Sequence, residues 1–197
     1  MKSPSPLDSL LFDPLSWMHP RCLLRREGFD GVRSRALING MIIRAYGWSV
    51  ERPVLTADRL MPYFVGLWRY LPHVALLIAA QRHRAVLSRR GRLRALPGWV
   101  RQFAERDIVA SAAISVGAAD GADILLEWGK NELIAYGEQL PLPIRQRIPL
   151  AFPPDMARES AAGPPADPCP LLIRLAFQHA KRHSDTPNAA EFRRCFD

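Results

Sequence analysis

The chain is poor in lysine, in cysteine and in long apolar runs, and the last two shortages each argue against a class of protein. Only three of its 197 residues are lysine and only three are cysteine. Cys22, Cys169 and Cys195 are widely spaced and form no CxxC pair, which argues against a disulfide framework and a structural zinc site and is typical of a reducing cytosol. The most apolar run, residues 74–80, is far shorter than the roughly 20 residues that span a bilayer. We therefore expect a cytoplasmic protein without membrane insertion.

Signatures of catalysis and of cofactor binding are also missing. The sequence contains no GxxxxGK, no GxGxxG, no GxSxG and no HExxH. His179 and His183 stand four residues apart, but Lys181 and Arg182 lie between them and no carboxylate is in register, so we expect no metal there. The prediction is a protein that is not an enzyme and has no catalytic residues, no metal and no cofactor.

Positive charge is carried mainly by arginine and is concentrated in one region. The chain has 27 basic and 19 acidic residues, a formal net charge of +8, and eight arginines between residues 82 and 106 face the single acid Glu105. Such a region raises the encounter rate with an anionic partner. Three interpretations stay open: a solvated surface, a docking face for an acidic protein, or a surface for nucleic acid or anionic lipid. The candidate partner-binding residues of this region are Arg82, Arg84, Arg89, Arg90, Arg92 and Arg94.

The spacing of apolar residues predicts an all-α fold of about six or seven helices with little or no sheet. The predicted helices cover residues 32–48, a segment after Thr56 that Pro62 delays or kinks, a segment from Pro72 to about Ser88, a short piece opened by Pro97, residues 123–136, and a last helix from Pro170 to His183. In the first of them, the apolar stripe is formed by Leu37, Ile38, Met41, Ile42, Ala45 and Trp48. Residues 107–117 mix strand-like alternation with alanine-rich composition, and we favour helix because no neighbouring strand is evident.

Segments rich in proline, glycine and small polar residues mark the predicted boundaries of a single domain. We expect a flexible N-terminus over residues 1–10, where Pro4 and Pro6 interrupt the apolar run that a secretory signal would need. A helical domain with an extended N-terminal strap then covers residues 11–154. Residues 155–167 are predicted to be a linker or mobile loop, residues 168–183 a C-terminal helix packed on the domain, and residues 184–197 a fraying tail.

The strap at residues 11–20 (LFDPLSWMHP) is the most distinctive segment. It combines two prolines with two aromatic residues, and each proline biases the residue before it away from helical geometry. Phe12 and Trp17 supply large apolar surface that lies either against the domain or against a partner, since aromatic side chains are common anchors of interfaces. Both are therefore candidate partner-binding residues.

The strap is followed by three segments, 69–77 (RYLPHVALL), 96–103 (LPGWVRQF) and 147–154 (RIPLAFPP), and this series resembles the OrgA/MxiK (SctK) family of bacterial type III secretion proteins. Trp17 is a mild departure from the family pattern in the strap. The resemblance implies a cytoplasmic adaptor of the sorting platform, peripheral at the inner membrane. Such an adaptor links the cytosolic domain of the inner-membrane ring protein to the pod (C-ring-like) protein and supports effector secretion. The competing class is a basic nucleic-acid-binding regulatory protein, although no nucleic-acid partner is expected because residues 82–94 lack stacking aromatics.

Overall fold

A computed structural model describes residues 4–23, 31–56, 58–89, 91–111, 122–154 and 167–183 of the chain. Within these ranges the protein is all-α, as predicted, with short 3-10 turns between its helices and no strand. The helices are Pro6–Phe12 (α1), Val32–Ala45 (α2), Met61–Gly66 (α3), Leu71–Arg82 (α4), Arg84–Arg89 (α5), Gly98–Ala104 (α6), Ala122–Gly137 (α7), Leu142–Arg145 (α8) and Pro170–His183 (α9).

Helix α4 is the centre of the core. Its buried residues run from Leu71 to Gln81, with only Pro72 and His73 of that stretch reaching solvent in part. A helix that is apolar on all sides is stable in water only when its neighbours cover every side. Helices α6, α7 and α9 pack around α4 and provide that cover.

The contact between α4 and α7 requires a glycine. A Cβ atom added to Gly129 would lie 1.8 Å from the carbonyl oxygen of Ala75 and 2.3 Å from its carbonyl carbon. The two backbones are therefore in direct contact, and the atom that blocks a side chain belongs to the main chain of α4. Glycine lowers the stability of a helix interior by about 1 kcal/mol relative to alanine, and here that cost is offset by close helix packing.

Two predicted helices have different boundaries in the structure. Pro62 delays the helix expected after Thr56, so that α3 begins at Met61 with Leu60 as its N-cap. The helix expected from Pro72 to about Ser88 ends at Arg82, because His83 leaves helical geometry with φ −105° and ψ 16°, and α5 then begins at Arg84. The break at His83, together with α1 and the short helix α8, raises the number of helices in the described residues above the six or seven expected.

The N-terminal segment is helical where a flexible N-terminus was expected. Ser5 caps α1 by accepting a hydrogen bond from the Asp8 amide at 3.1 Å, and Pro6 opens the helix with a residue whose missing N–H costs nothing there. Leu10 and Leu11 are buried. This corrects the expectation for residues 6–10, and the strap that follows is built from 3-10 turns after Pro14 and Pro20 rather than from fully extended chain.

Residues 107–111 are not helical, in contrast to the favoured prediction for 107–117. The Gln81 side chain donates to the carbonyls of Arg106 and Val109, which holds this segment in an irregular path along the end of α4. Residues 112–117 lie outside the described residues, as do residues 155–166 of the predicted linker and the predicted tail at 184–197.

Candidate partner-binding surfaces

The strap is fixed to the domain by a buried arginine, Arg147, which begins the segment 147–154 but was not among the candidate residues named from the sequence. Arg147 is 0 % exposed, and burial lowers the pKa of its guanidinium to about 10, so that it stays charged at neutral pH. Its nitrogens donate to four backbone carbonyls, those of Leu10 at 3.2 Å, Leu11 at 3.2 Å, Ser49 at 3.0 Å and Pro143 at 2.6 Å. The carbonyls of Leu10 and Leu11 end α1, where the helix dipole favours a cation.

Two segments that carried the family resemblance meet at this point. Besides the bonds from Arg147 to the end of α1, the amide of His19 donates to the carbonyl of Leu150 at 2.9 Å, and the Cys22 thiol lies 3.5 Å from the carbonyl of Phe152. The strap and residues 147–152 therefore form one structural unit.

Trp17 is part of this unit. Its Nε1 donates to the carbonyl of Leu10 at 3.1 Å, and its ring packs edge-on against Trp68 with centroids 5.4 Å apart and tilted against Trp48 at 5.8 Å. Arg147 lies over the ring of Trp48 at 5.0 Å. Of the two interpretations left open for Trp17, the structure favours packing against the domain.

Phe12 differs from Trp17, because 43 % of its surface is exposed. The residue after it, Asp13, forms a two-bond ion pair with Arg35 at 3.0 and 2.9 Å and accepts a hydrogen bond from Asn39 at 2.7 Å. The amide of Leu15 donates to the Asn39 side chain at 3.1 Å. Helix α2 is therefore attached to the strap by polar contacts, and Phe12 remains a candidate for contact with a partner.

The arginine cluster is divided between the fold and the surface. Arg82 forms a two-bond ion pair with Glu132 at 3.1 and 2.9 Å, and the Glu132 side chain is only 2 % exposed. This hydrogen bonding raises the pKa of Arg82. Arg82 also donates to the carbonyl of Asp167, and Glu132 accepts from the amide of Cys169. Arg82 thus joins α4, α7 and the residues before α9.

The remaining arginines of the cluster follow the same division. Arg84 pairs with Asp107 at 2.8 Å and donates to the carbonyls of Gln81 and Val109, so it too holds the fold. Of the others, Arg89 and Arg94 are exposed, Arg92 is partly buried, and Arg90 lies outside the described residues. The basic surface available to a partner is therefore smaller than the sequence suggested and includes Arg89 and Arg94.

The division predicts opposite behaviour for two arginines of the cluster. We expect Arg82→Ala to lower the free energy of unfolding by about 2–3 kcal/mol, because it leaves the Glu132 carboxylate buried without its counter-charge, and partial exposure of Arg82 keeps the loss below that of a fully buried pair. Arg89→Ala is the matched control and should change it by less than about 0.5 kcal/mol. Urea denaturation followed by circular dichroism measures both, and equal losses would contradict the division.

A second candidate surface lies on α2 and the chain that follows it. Leu37 and Met41, which belong to the predicted apolar stripe of this helix, are 61 % and 56 % exposed, and Asn39 is the buried residue of α2. Of the ten exposed large hydrophobic side chains in the described residues, seven belong to one stretch. They are Val32, Leu37, Met41, Tyr46, Val50, Val54 and Leu55. Contiguous exposed apolar surface is typical of interaction sites, so this stretch is a candidate for contact with a partner.

The described residues offer no arrangement suited to a metal. No group of three or more histidine, cysteine, aspartate or glutamate side chains converges in the part of the chain that the structure describes. His179 is buried and its Nε2 lies 2.8 Å from the carbonyl of Trp99, and burial lowers the pKa of its imidazole. Across the same described ranges, no helix has both the length and the apolar character to cross a bilayer.

Comparison with known proteins gives consistent matches. Residues 7–182 match the family described as bacterial type III secretion apparatus protein (OrgA/MxiK). The oxygen-regulated invasion protein OrgA of Salmonella typhimurium, in strains 14028s, SL1344 and LT2, is 33 % identical over 178 residues, which cover 90 % of this chain and 87 % of the relative. No solved structure matches the chain significantly.

Proposed function

This chain belongs to the OrgA/MxiK family of bacterial type III secretion apparatus proteins, and from that membership we propose that it is a non-enzymatic adaptor of the sorting platform. It links the cytosolic domain of the inner-membrane ring protein to the pod (C-ring-like) protein and so supports effector secretion. It works at the cytoplasmic face of the bacterial inner membrane and is held there by its protein partners. Its mechanism is reversible docking between folded surfaces.

The observation that supports this role is that some arginines are used inside the fold, whereas other basic side chains and a set of apolar side chains are exposed to solvent. Arg82 and Arg147, the charged groups with the densest hydrogen bonding, serve the fold. The surface that the fold leaves to solvent includes apolar side chains on and after α2 and the basic side chains of Arg89 and Arg94. An adaptor needs two surfaces of different character, because each must recognise a different neighbour.

The alternative of a nucleic-acid-binding regulator is less well supported. Arg82 and Arg84 are engaged by Glu132, Asp107 and backbone carbonyls, which removes two of the cations that phosphate binding would use. Neither the family nor the Salmonella relatives are described as binding nucleic acid.

The adaptor role is tested by co-purification of the full-length protein with the ring-protein cytosolic domain and with the pod protein of the same secretion locus. We expect both to be retained. The double variant Arg89→Glu, Arg94→Glu should weaken binding of one of them by at least about tenfold, because the basic surface then repels an acidic partner. The thermal midpoint should stay within about 1 °C, since both side chains are exposed.

A charge-matched double variant controls for net charge. Arg59→Glu with Arg174→Glu reverses two exposed arginines outside the cluster, and it should bind both proteins as the wild type does. Retention of neither protein by the wild type would refute the adaptor role. Equal weakening by the two double variants would assign the effect to net charge and exclude the Arg89–Arg94 surface as a contact.

A further inference from the structure

We propose that the solvent side of α2 binds an acidic amphipathic helix of one of the two partner proteins named above. We define this α2 docking face by Arg33, Leu37, Gly40, Met41 and Arg44. The proposal rests on the proposed function, because it takes its partner from the secretion apparatus, and it adds the chemistry by which that partner is recognised.

The five residues form one stripe along the helix. They are spaced at i, i+4, i+7, i+8 and i+11, which places them on one side of an α-helix and is the spacing of a seam between two packed helices. Asn39, which binds the strap through Asp13 and Leu15, lies on the opposite side of α2. Attachment to the domain therefore leaves the docking face open, with Leu37 and Met41 more than half exposed.

Gly40 stands in the middle of the stripe without a reason in the fold itself. Its φ is not positive, since Gly47 and Gly91 are the glycines with positive φ in the described residues. A Cβ atom added to Gly40 would meet only the end of the Arg44 side chain, at 4.0 Å, whereas one added to Gly129 would collide with a backbone. Glycine at this position lowers the stability of α2 by about 1 kcal/mol relative to alanine. In this proposal the glycine allows close approach of a partner helix, which displaces the Arg44 side chain from its 3.2 Å hydrogen bond to the Gly40 carbonyl.

The positive charge of α2 indicates that its partner is acidic. Helix α2 contains three arginines and no acidic residue. Arg35 is neutralised by Asp13, but Arg33 and Arg44 have no carboxylate partner among the described residues and border the apolar centre of the face. A helix with apolar residues at its centre and aspartate or glutamate at its edges complements this pattern.

Two other occupants fit less well. In a symmetric pairing of two copies, Arg33 and Arg44 of one chain would face the same arginines of the other, and like charges would oppose association. A membrane-surface helix usually buries several large residues such as tryptophan, phenylalanine and leucine, whereas this face offers Leu37, Met41 and a glycine.

The experiment measures affinity by isothermal titration of the full-length protein with the ring-protein cytosolic domain and with the pod protein separately. Leu37→Glu should weaken binding of one of them at least about 30-fold, because it places a carboxylate against an acidic helix, and should leave the thermal midpoint unchanged. Gly40→Ala should raise the thermal midpoint by about 1–4 °C while weakening binding of the same protein about tenfold. Leu171→Glu, on exposed α9 surface, is the control and should bind normally.

Each possible result bears directly on the α2 docking face or on the adaptor role. If the wild type binds a partner and both α2 variants bind it equally well, the docking face is refuted while the adaptor role stands. If the wild type binds neither protein, both proposals fall. A drop of several degrees for Leu37→Glu would show that the chain itself covers the face, which also overturns the proposal. The proposal is also overturned if Leu37→Glu binds both proteins normally and its only defect is weaker sedimentation with phosphatidylglycerol vesicles.

Discussion

Replacement of Arg147 by leucine is expected to lower the free energy of unfolding by about 3–5 kcal/mol, because it leaves four carbonyls, three of them in buried hydrogen bonds, without their shared donor. Those carbonyls belong to α1, to Ser49 and to Pro143, so the variant disconnects three parts of the chain at once. Urea denaturation monitored by far-ultraviolet circular dichroism measures the loss. A further expected result is faster proteolytic cleavage near the strap.

The neighbouring Arg145 supplies the matched control. Its ion pair with Glu138 is largely exposed, with 41 % and 64 % of the two side chains accessible, and Arg145→Leu should cost less than about 1 kcal/mol. Arg147→Lys keeps the charge but cannot direct donors to four carbonyls, so its loss should lie between those of the two leucine variants. If Arg147→Leu were as stable as Arg145→Leu, the buried arginine would have no structural role.

Gly129→Ala is expected to lower the free energy of unfolding by about 3 kcal/mol or more, although alanine is the better helix former. The added methyl group meets the main chain of Ala75 at 1.8 Å, and the clash is relieved only if α7 moves away from α4 along the most extensive helix contact of the core. The same denaturation measurement, with loss of near-ultraviolet dichroism as a second signal, tests this expectation.

Two other glycines serve as controls for Gly129→Ala. A Cβ atom at Gly66 or Gly98 meets nothing within 4 Å. Gly66→Ala and Gly98→Ala should therefore be neutral or stabilising by up to about 1 kcal/mol. A Gly129→Ala protein as stable as these two would contradict the close contact between α4 and α7.

The all-α class and several helix boundaries could be predicted from local sequence, because proline and glycine restrict or relax the backbone at their own positions. Pro97 and Pro170 introduce α6 and α9, and Gly91, with φ +68°, follows α5 in the left-handed conformation that glycine tolerates. Helix α1 was missed although it has a clear start, since Ser5 before Pro6 is a capping pattern. The two early prolines also fit a flexible N-terminus, and the pattern alone does not separate the two structures.

The candidate surfaces depended on distant contacts and could be predicted only in part. An apolar stripe at helical spacing looks the same whether it faces a core or a partner, so the exposure of Leu37 and Met41 on α2 had no sequence signal. A count of arginines likewise ignores their partners. Glu132 lies 50 residues from Arg82 in the chain, and Leu10 lies 137 residues from Arg147.

The cluster of Trp17, Trp48 and Trp68 allows attachment of the strap to the domain to be followed by spectroscopy. Trp17 has its ring centroid 5.4 Å from that of Trp68 and 5.8 Å from that of Trp48, close enough for their electronic transitions to couple, and it reports from the strap itself. Detachment of the strap should separate Trp17 from the other two rings, shift the emission to longer wavelength and abolish the coupled dichroic signal. The protein thus carries an intrinsic optical probe for strap docking that needs no label and can be read during assembly with its partners.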